Sequence, residues 1–345
     1  MKNKLLVAAV SSAIWASTAH AATIYDQDGT KLDLYGRIAM GIAGGGPEFD
    51  RSGNEIDNGA EFVDVYSRLG FRMSHQITSD LTAFGRLEWR FRGDERDTSA
   101  AFTDTRQSFI GLESEQYGTF LAGNFDSLYY QFVSLPFDVY LDRGLLFNST
   151  GLQSRGDSIG YHTPELNGFT SFLQVKHYSE RGLTVAEQSR EGDVLAFQGG
   201  VRYQQGPFQI GLGAVENVVR GGGNGNGEML YGLIGAYDIT DQFTARLGAE
   251  TQSNNNTYGG GFDTVGLGGT FTTGPWAFTA DYYNVERDND GNSKAWAAGA
   301  YYKVSSAFDV FVELADSDAP TVSRDLSLGD LTDDVYWLTG ARYLF

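Results

Sequence analysis

A two-residue alternation of apolar and polar side chains recurs along this 345-residue chain and constrains its fold more than any other feature. Between Leu32 and Met40, the positions of even parity hold leucine, glycine, isoleucine and methionine, while the positions of odd parity hold aspartate, tyrosine, arginine and alanine. Successive side chains of a β-strand point to opposite faces, so this pattern predicts a strand with one apolar and one polar face. The same pattern recurs in segments 61–74 and 80–92, which indicates an all-β protein.

A soluble sandwich shows similar alternation, so the number of strands and the lengths of their connections distinguish it from a barrel. We predict sixteen strands, near 31–43, 61–74, 80–92, 104–113, 118–124, 156–163, 168–178, 194–204, 207–219, 228–238, 242–253, 262–272, 276–287, 294–303, 307–317 and 333–345. Short turns, such as Gln205-Gly206, alternate with longer polar loops, such as segment 179–193. Strands of ~10 residues in an even number, with short turns at one end and long loops at the other, are typical of outer-membrane barrels. The predicted fold is a 16-stranded antiparallel transmembrane β-barrel.

Charged residues on the polar parity favour a barrel with a water-filled interior. They include Arg68, Arg72, Arg86, Arg90, Arg92, Arg202, Arg246 and Arg342. These guanidinium groups cannot all lie in a packed core, because desolvating an unpaired one costs several kcal/mol. A closed barrel of roughly 16 to 18 strands satisfies every backbone hydrogen bond and still leaves an aqueous channel.

The composition excludes several classes of protein and site. The chain has no cysteine, which removes disulfides, iron–sulfur clusters, cysteine-ligated zinc and thiol nucleophiles. Its formal net charge of −19 disfavours a nucleic-acid partner, which requires a basic face. A mean hydropathy of −0.28 is too polar for a bundle of membrane helices. We predict no cofactor, no metal and no nucleic-acid partner.

The first residues have the pattern of a secretory signal peptide. Lys2 and Lys4 precede an apolar run from Leu5 to Ala16, and Ala19-His20-Ala21 has the small-x-small form of a cleavage site. A membrane anchor needs ~20 apolar residues, and this run is shorter. The expected division is a signal peptide over residues 1–21 and a barrel domain over residues 22–345.

Several local motifs then occur in the order and spacing of a known family. They are Ile24-Tyr25-Asp26-Gln27-Asp28-Gly29, Leu32-Asp33-Leu34-Tyr35-Gly36-Arg37, Ser67-Arg68-Leu69-Gly70-Phe71, Leu81-Thr82-Ala83-Phe84-Gly85, Thr105-Arg106-Gln107-Ser108-Phe109-Ile110-Gly111-Leu112 and Tyr343-Leu344-Phe345. With them the chain resembles the trimeric general-diffusion porins of Gram-negative outer membranes. The match is dense over residues 22–178 and thinner afterwards. The resemblance implies a homotrimer among outer-membrane lipid and lipopolysaccharide, with Phe345 read by the barrel assembly machinery.

By the same resemblance, segment 125–154 is the loop that folds inward and narrows the pore. It carries Leu135-Pro136-Phe137-Asp138 where the family often has Leu-Pro-Glu-Phe-Gly-Gly. The family's acid three residues before that proline is Val133 in this chain. Asp138 and Asp142 are therefore assigned as the acids of the loop, and Arg143 is close enough in sequence to offset one of them.

The resemblance also implies a basic wall opposite the loop. Its local motifs assign this role to Arg37, Arg68, Arg106 and Arg155. Arg86 and Arg90 are added from their parity on the third strand alone. The alternative for these two is a solvated position in the lumen away from the narrowing.

Two short motifs suggest other functions. Gly156-Asp157-Ser158-Ile159-Gly160 matches a hydrolase nucleophile elbow, which requires a strand, a sharp turn and a helix. Here the alternation continues to Tyr161, and the histidines after the leader show no partnered constellation, so no catalytic residue is predicted. Arg155-Gly156-Asp157 would serve an adhesin or receptor only if a mobile external loop displayed it.

These observations predict a porin that passes small hydrophilic solutes and ions passively. Arginines facing loop acids would create a transverse field that favours polar solutes. Weak cation preference is expected from vestibule acids, namely Glu48, Asp50, Glu55, Asp57, Asp318, Asp325, Asp330, Asp333 and Asp334. Trimer contacts are expected at the first strands, where Gly36 and Ala83 are small. The alternatives are a substrate-specific channel with a file of lumenal aromatics, a barrel enzyme, and a barrel acting as adhesin or receptor.

Overall fold

The computed structural model describes residues 21–46, 48–49, 55–56, 59–94, 102–142, 144, 147, 152–179, 194–219, 225–288, 292–316 and 335–345. Residues 1–20 of the expected signal peptide, Arg143 and the side chains of the vestibule acids lie outside the described residues.

The described residues form twenty strands and two short helical turns. The strands are β1 Ala22–Gln27, β2 Thr30–Gly44, β3 Glu48–Phe49, β4 Glu55–Ile56, β5 Glu61–Asp64, β6 Arg68–Gln76, β7 Leu81–Arg90, β8 Asp104–Ser114, β9 Gly118–Asn124, β10 Ser158–His162, β11 Phe169–Tyr178, β12 Val194–Gln205, β13 Phe208–Glu216, β14 Met229–Asp238, β15 Phe243–Gln252, β16 Phe262–Thr273, β17 Trp276–Arg287, β18 Ser293–Lys303, β19 Phe308–Asp316 and β20 Val335–Leu344. Between β9 and β10, a π-helical turn spans Tyr130–Ser134 and a 3₁₀ turn spans Leu135–Phe137.

The sheet closes on itself through β2. One end of β2 pairs with β6 and the other end pairs with β20, from Arg37 opposite Leu344 to Gly44 opposite Trp337. From β6 to β20, each strand pairs antiparallel with the next. Since β5 and β6 share one position in the wall, the result is the predicted 16-stranded barrel, with β1 folded back on β2. Among the described residues, no helix is both long and apolar enough to cross a membrane.

The alternation in the sequence becomes the two faces of the wall. On β15, Leu247 is 61% exposed on the outer face, whereas its neighbour Arg246 is 3% exposed on the inner face. Aromatic rings gather on the outer face near the short turns, as in the contact of Phe169 with Tyr203 at 4.6 Å between centroids. An apolar outer band with aromatic residues at its edge matches the environment of a bilayer.

The predicted strand 61–74 is wrong in one respect, because the structure interrupts it between Asp64 and Arg68. The Asp64 carboxylate accepts a hydrogen bond from the Ser67 amide at 2.8 Å, and the Ser67 hydroxyl accepts one from the Ala39 amide at 3.0 Å. Side-chain hydrogen bonds of this kind compete with the strand ladder. The backbone turns at Tyr66, whose φ is +59°.

Candidate functional site

Residues 125–142 leave the wall after β9 and pack against the inner face of the opposite wall. Phe137 lies 4.8 Å from Phe147 and 5.8 Å from Tyr283, measured between ring centroids. The Tyr129 hydroxyl donates to Glu250 Oε1 at 3.1 Å on β15. The backbone of Phe132 lies against Gly211 on β13, where any Cβ would collide with it. One side of the lumen is therefore filled by this segment.

The end of this inward segment is held by β19. Glu313 accepts hydrogen bonds from the backbone amides of Leu141 at 2.6 Å and Asp142 at 3.1 Å. The Tyr301 hydroxyl also donates to Glu313, at 2.6 Å. These bonds fix residues 141 and 142 against the wall.

A cavity of about 470 Å³ remains between the inward segment and the wall formed by β2 and β6–β8. Its lining residues are Arg37, Tyr66, Arg68, Arg86, Arg90, Arg106, Gln107, Asp126, Tyr130, Leu135, Asp138, Tyr140, Leu141, Asp142 and Arg342. The structure thus brings together both acids assigned from the sequence and five of the six assigned arginines. Arg86 and Arg90, which were assigned from parity alone, are among them.

Strand register places the arginines of this wall side by side. Arg37 lies directly opposite Arg68, and Arg68 lies directly opposite Arg90. Like charges in such cross-strand positions repel each other. The wall therefore requires water or compensating carboxylates.

Glu88 on β7 supplies the nearest compensation, and the sequence analysis did not assign it. Its buried carboxylate lies 2.8 Å from Arg86 Nη2, 2.9 Å from Arg106 Nη1 and 3.9 Å from Arg68 Nη1. It also accepts a hydrogen bond of 2.8 Å from the Tyr35 hydroxyl. The signal in the sequence was its position midway between Arg86 and Arg90, on the lumenal parity.

A β-bulge positions Arg106. Against β8, Glu88 is paired with Gln107, but the next residue, Trp89, is paired with Thr105. The extra residue lets both Arg106 and Gln107 face the lumen. Gln107 Nε2 donates to Asp126 Oδ2 at 2.7 Å, and Arg106 Nη2 lies 3.7 Å from the same oxygen.

Arg155 lies at the return of the inward segment and pairs with two carboxylates. Its Nε lies 3.5 Å from Asp126 Oδ1, and its Nη1 lies 3.4 Å from Asp104 Oδ2. Asp126 was also missed from the sequence, because it follows the last alternating residue of β9 and so has no parity to mark it.

The two assigned acids differ in their surroundings. Asp138 is held by the Tyr130 hydroxyl, which donates to it from the same segment. Burial raises the pKa of Asp138 above its ordinary value, although the hydrogen bond from Tyr130 and the charges of Arg106 and Arg37 oppose the shift. Asp142 accepts a hydrogen bond of 2.9 Å from the Tyr66 hydroxyl.

Comparison with known proteins gives matches along most of the chain. A family model described as Gram-negative porin matches residues 6–321. The chain is 30% identical over 220 residues to the monosaccharide porin of a Halomonas species, covering 61% of this chain and 58% of that protein. It is 38% identical over 121 residues to the outer membrane porin protein OmpD of Salmonella typhimurium strain LT2, covering 35% of this chain and 31% of that protein. Both matches cover less than two thirds of the relative.

Among solved structures, the chain is similar in fold to a Salmonella typhi OmpF complex with daunomycin. The TM-score is 0.70 at 19% sequence identity, and the match covers 94% of this chain and 100% of that chain. This similarity extends through the described strands, including those after residue 178, where the sequence motifs are sparse.

Proposed function

The chain belongs to the Gram-negative porin family of the outer membrane, and on that premise we propose that it forms a water-filled channel for passive diffusion of small hydrophilic solutes and ions. The observation that carries this proposal is the charged cavity of about 470 Å³ left open beside the inward segment of a closed barrel. Barrels of roughly this size leave an aqueous interior.

In this proposal segment 125–154 sets the size limit, and the charges facing across the cavity set the preference for polar solutes. The basic wall is Arg37, Arg68, Arg86, Arg90, Arg106 and Arg155, and the facing acids are Asp138 and Asp142. Charges fixed in a narrow low-dielectric opening orient water and polar solutes. An apolar solute would displace that oriented water without replacing its interactions.

We also propose a weak preference for cations, set at the channel entrance. More arginine than carboxylate side chains line the cavity itself, so the preference has to arise from the vestibule acids and the net charge of −19. At ~0.15 M salt the Debye length is ~8 Å, so such a field acts on entry and weakens as salt rises.

A homotrimer is proposed from the outer face of β6–β9. An apolar groove of about 870 Å³ lies there, with Ala83 in its lining and Ile110, which is 70% exposed, beside it. Gly36 does not offer the close approach to a neighbouring subunit that the sequence predicts, because the Phe345 ring covers it. A Cβ at Gly36 would lie 2.5 Å from that ring. The remaining outer face would contact lipid and lipopolysaccharide, and Phe345 would be read by the assembly machinery.

Single-channel recording in planar bilayers tests the function directly. Purified protein is expected to give large ohmic conductance steps that do not saturate with any one solute. Conductance that sugars block in a saturable way would favour a substrate-specific channel, and no conductance at all would favour an adhesin, receptor or enzyme. Cross-linking after mild-detergent extraction should give trimers, and only monomers would contradict the proposed assembly.

A further inference from the structure

Tyr66 stands at the interruption between β5 and β6, where the basic wall meets the end of the inward segment. Its φ of +59° is uncommon for a residue with a bulky side chain. Such conformations persist where the surrounding structure holds them, and they cluster at functional sites. The Tyr66 side chain lines the cavity and the residue is 37% exposed.

Three parts of Tyr66 make three different contacts. Its backbone carbonyl accepts a hydrogen bond from Arg37 Nε at 2.9 Å. Its ring lies under the guanidinium of Arg90, with 4.7 Å between the guanidinium carbon and the ring centroid. Its hydroxyl donates to Asp142 Oδ1 at 2.9 Å. One residue therefore touches two arginines of the wall and one acid of the inward segment.

Asp142 is held from its other side by β19, because its amide donates to Glu313 Oε2 at 3.1 Å. The contacts from Glu313 through Asp142 to Tyr66 thus connect β19 with the wall at β5 and β6. Asp142 lines both the charged cavity and a smaller cavity of about 160 Å³ at this corner, whose lining also includes Glu61 and Glu313.

We propose that Tyr66 is a positioning residue that determines the specificity of the channel: its hydroxyl keeps the end of the inward segment in place, and its ring holds the charge of Arg90 in the opening. The inference rests on the proposed channel function. It adds a residue that carries no charge: alternation places Tyr66 on the lumenal parity with Arg68, but nothing in the sequence identifies it as part of the opening.

The test compares two tyrosine–aspartate pairs. Y66F removes only the hydroxyl that reaches Asp142, while Y130F removes the hydroxyl that reaches Asp138 within the same segment. Loss of a hydrogen bond to a charged acceptor shifts an equilibrium by about tenfold. Single-channel records of Y66F should therefore show a conductance state of higher current that is populated about ten times more often than in wild type. Records of Y130F should not show this increase.

Two further variants separate the hydroxyl from the ring. D142A removes the acceptor carboxylate without touching the strand interruption, and it should reproduce the state of higher current. The double variant Y66F/D142A should add little to either single one. Y66L should also release Arg90 toward Asp104, its direct neighbour on β8. Reversal potentials in a KCl gradient should then shift toward cations in Y66L and not in Y66F.

The outcomes are distinguishable from those that test the channel itself. A wild-type protein that inserts but does not conduct would overturn the proposed function. A conducting wild type with Y66F indistinguishable from it, or with additive effects of Y66F and D142A, would overturn only the role of Tyr66. If Y66F fails to fold, D142A alone decides, because a wild-type record from D142A excludes the hydrogen bond that ties the inward segment to the wall.

Discussion

The two sides of the lumen use the same inward-facing parity for opposite purposes. At β2 and β6–β8 the arginines border an open cavity. On the facing side, Arg246 is 3% exposed, and its Nη2 lies 2.7 Å from Asp281 Oδ1 beneath Phe137 of the inward segment. The cavity and Glu88 offset the repulsion within the first set, whereas the second set forms a buried ion pair as in a protein core. What the loop covers therefore decides whether an inward charge in this barrel borders the opening or lies in a packed interior.

The largest expected effect would come from breaking the buried pair. D281A should destabilise the barrel by ~3–5 kcal/mol, because it leaves Arg246 uncompensated in a dry site. Urea unfolding followed by tryptophan fluorescence measures the change. The matched control is R202A, an inward arginine that lies over the Phe132 ring of the inward segment and has no carboxylate within ion-pair distance among the described residues. Equal losses for the two variants would contradict the stabilising role of the buried ion pair.

The next effect compares the two faces of one strand. Arg68 faces the cavity, and Leu69 beside it faces outward. L69R should cost ~2–4 kcal/mol near the bilayer midplane and reduce assembly, because it places a charge on an outer face that either lipid or a neighbouring subunit would cover. The yield of heat-modifiable folded barrel in lipid vesicles measures this. Assembly of L69R at the wild-type yield would show that neither lipid nor another subunit covers this face.

A change on the open side alone should alter transport more than folding. Replacing Arg68 and Arg106 together with alanine should enlarge the opening, raise conductance and shift selectivity toward cations, while Glu88 keeps Arg86 and Tyr35 as partners. Conductance and reversal potential measure both effects. Wild-type values in this double variant would mean that the opening has been misplaced.

The smallest effect concerns pH. Burial raises the pKa of Asp138, so as pH falls this carboxyl takes up a proton while an ordinary aspartate is still charged. The Asp138 carboxyl group is negatively charged above its raised pKa and neutral below it. The free energy of unfolding therefore rises as pH falls from that pKa to 3.8, the ordinary value. As pH falls towards 3.8, the opening of wild type should lose this negative charge and its selectivity should shift slightly toward anions, whereas D138N should not show that shift. Parallel reversal-potential curves for the two proteins would exclude this role.

Much of the fold could be predicted because a barrel wall repeats one local rule. Each strand alternates between lipid and lumen, so Leu247 and Arg246 reveal their faces without any knowledge of their neighbours. The interruption at Tyr66 escaped prediction because alternation continues through it, and the hydroxyl of Ser67 that stabilises it has no periodic signal.

The candidate site was only partly predictable for a related reason. Parity places Arg86, Glu88 and Arg90 on the lumenal face, but it does not show which inward residues the loop leaves open. Asp126 and Tyr66 lie outside regular strands, and Arg106 faces inward through a bulge. Those features depend on how the inward segment packs, which is a tertiary property.

The seam between β2 and β20 has a consequence for how the barrel forms. Arg37 pairs with Leu344, and the Gly36 amide donates to the Phe345 carbonyl at 2.8 Å, so the closing ladder joins residues from opposite ends of the described chain. Contacts so distant in sequence form slowly, because a long loop has to be ordered before they stabilise anything. Without β20, residues Arg37–Gly44 of β2 would present an unpaired edge that other chains can join. Closure of this seam removes that edge.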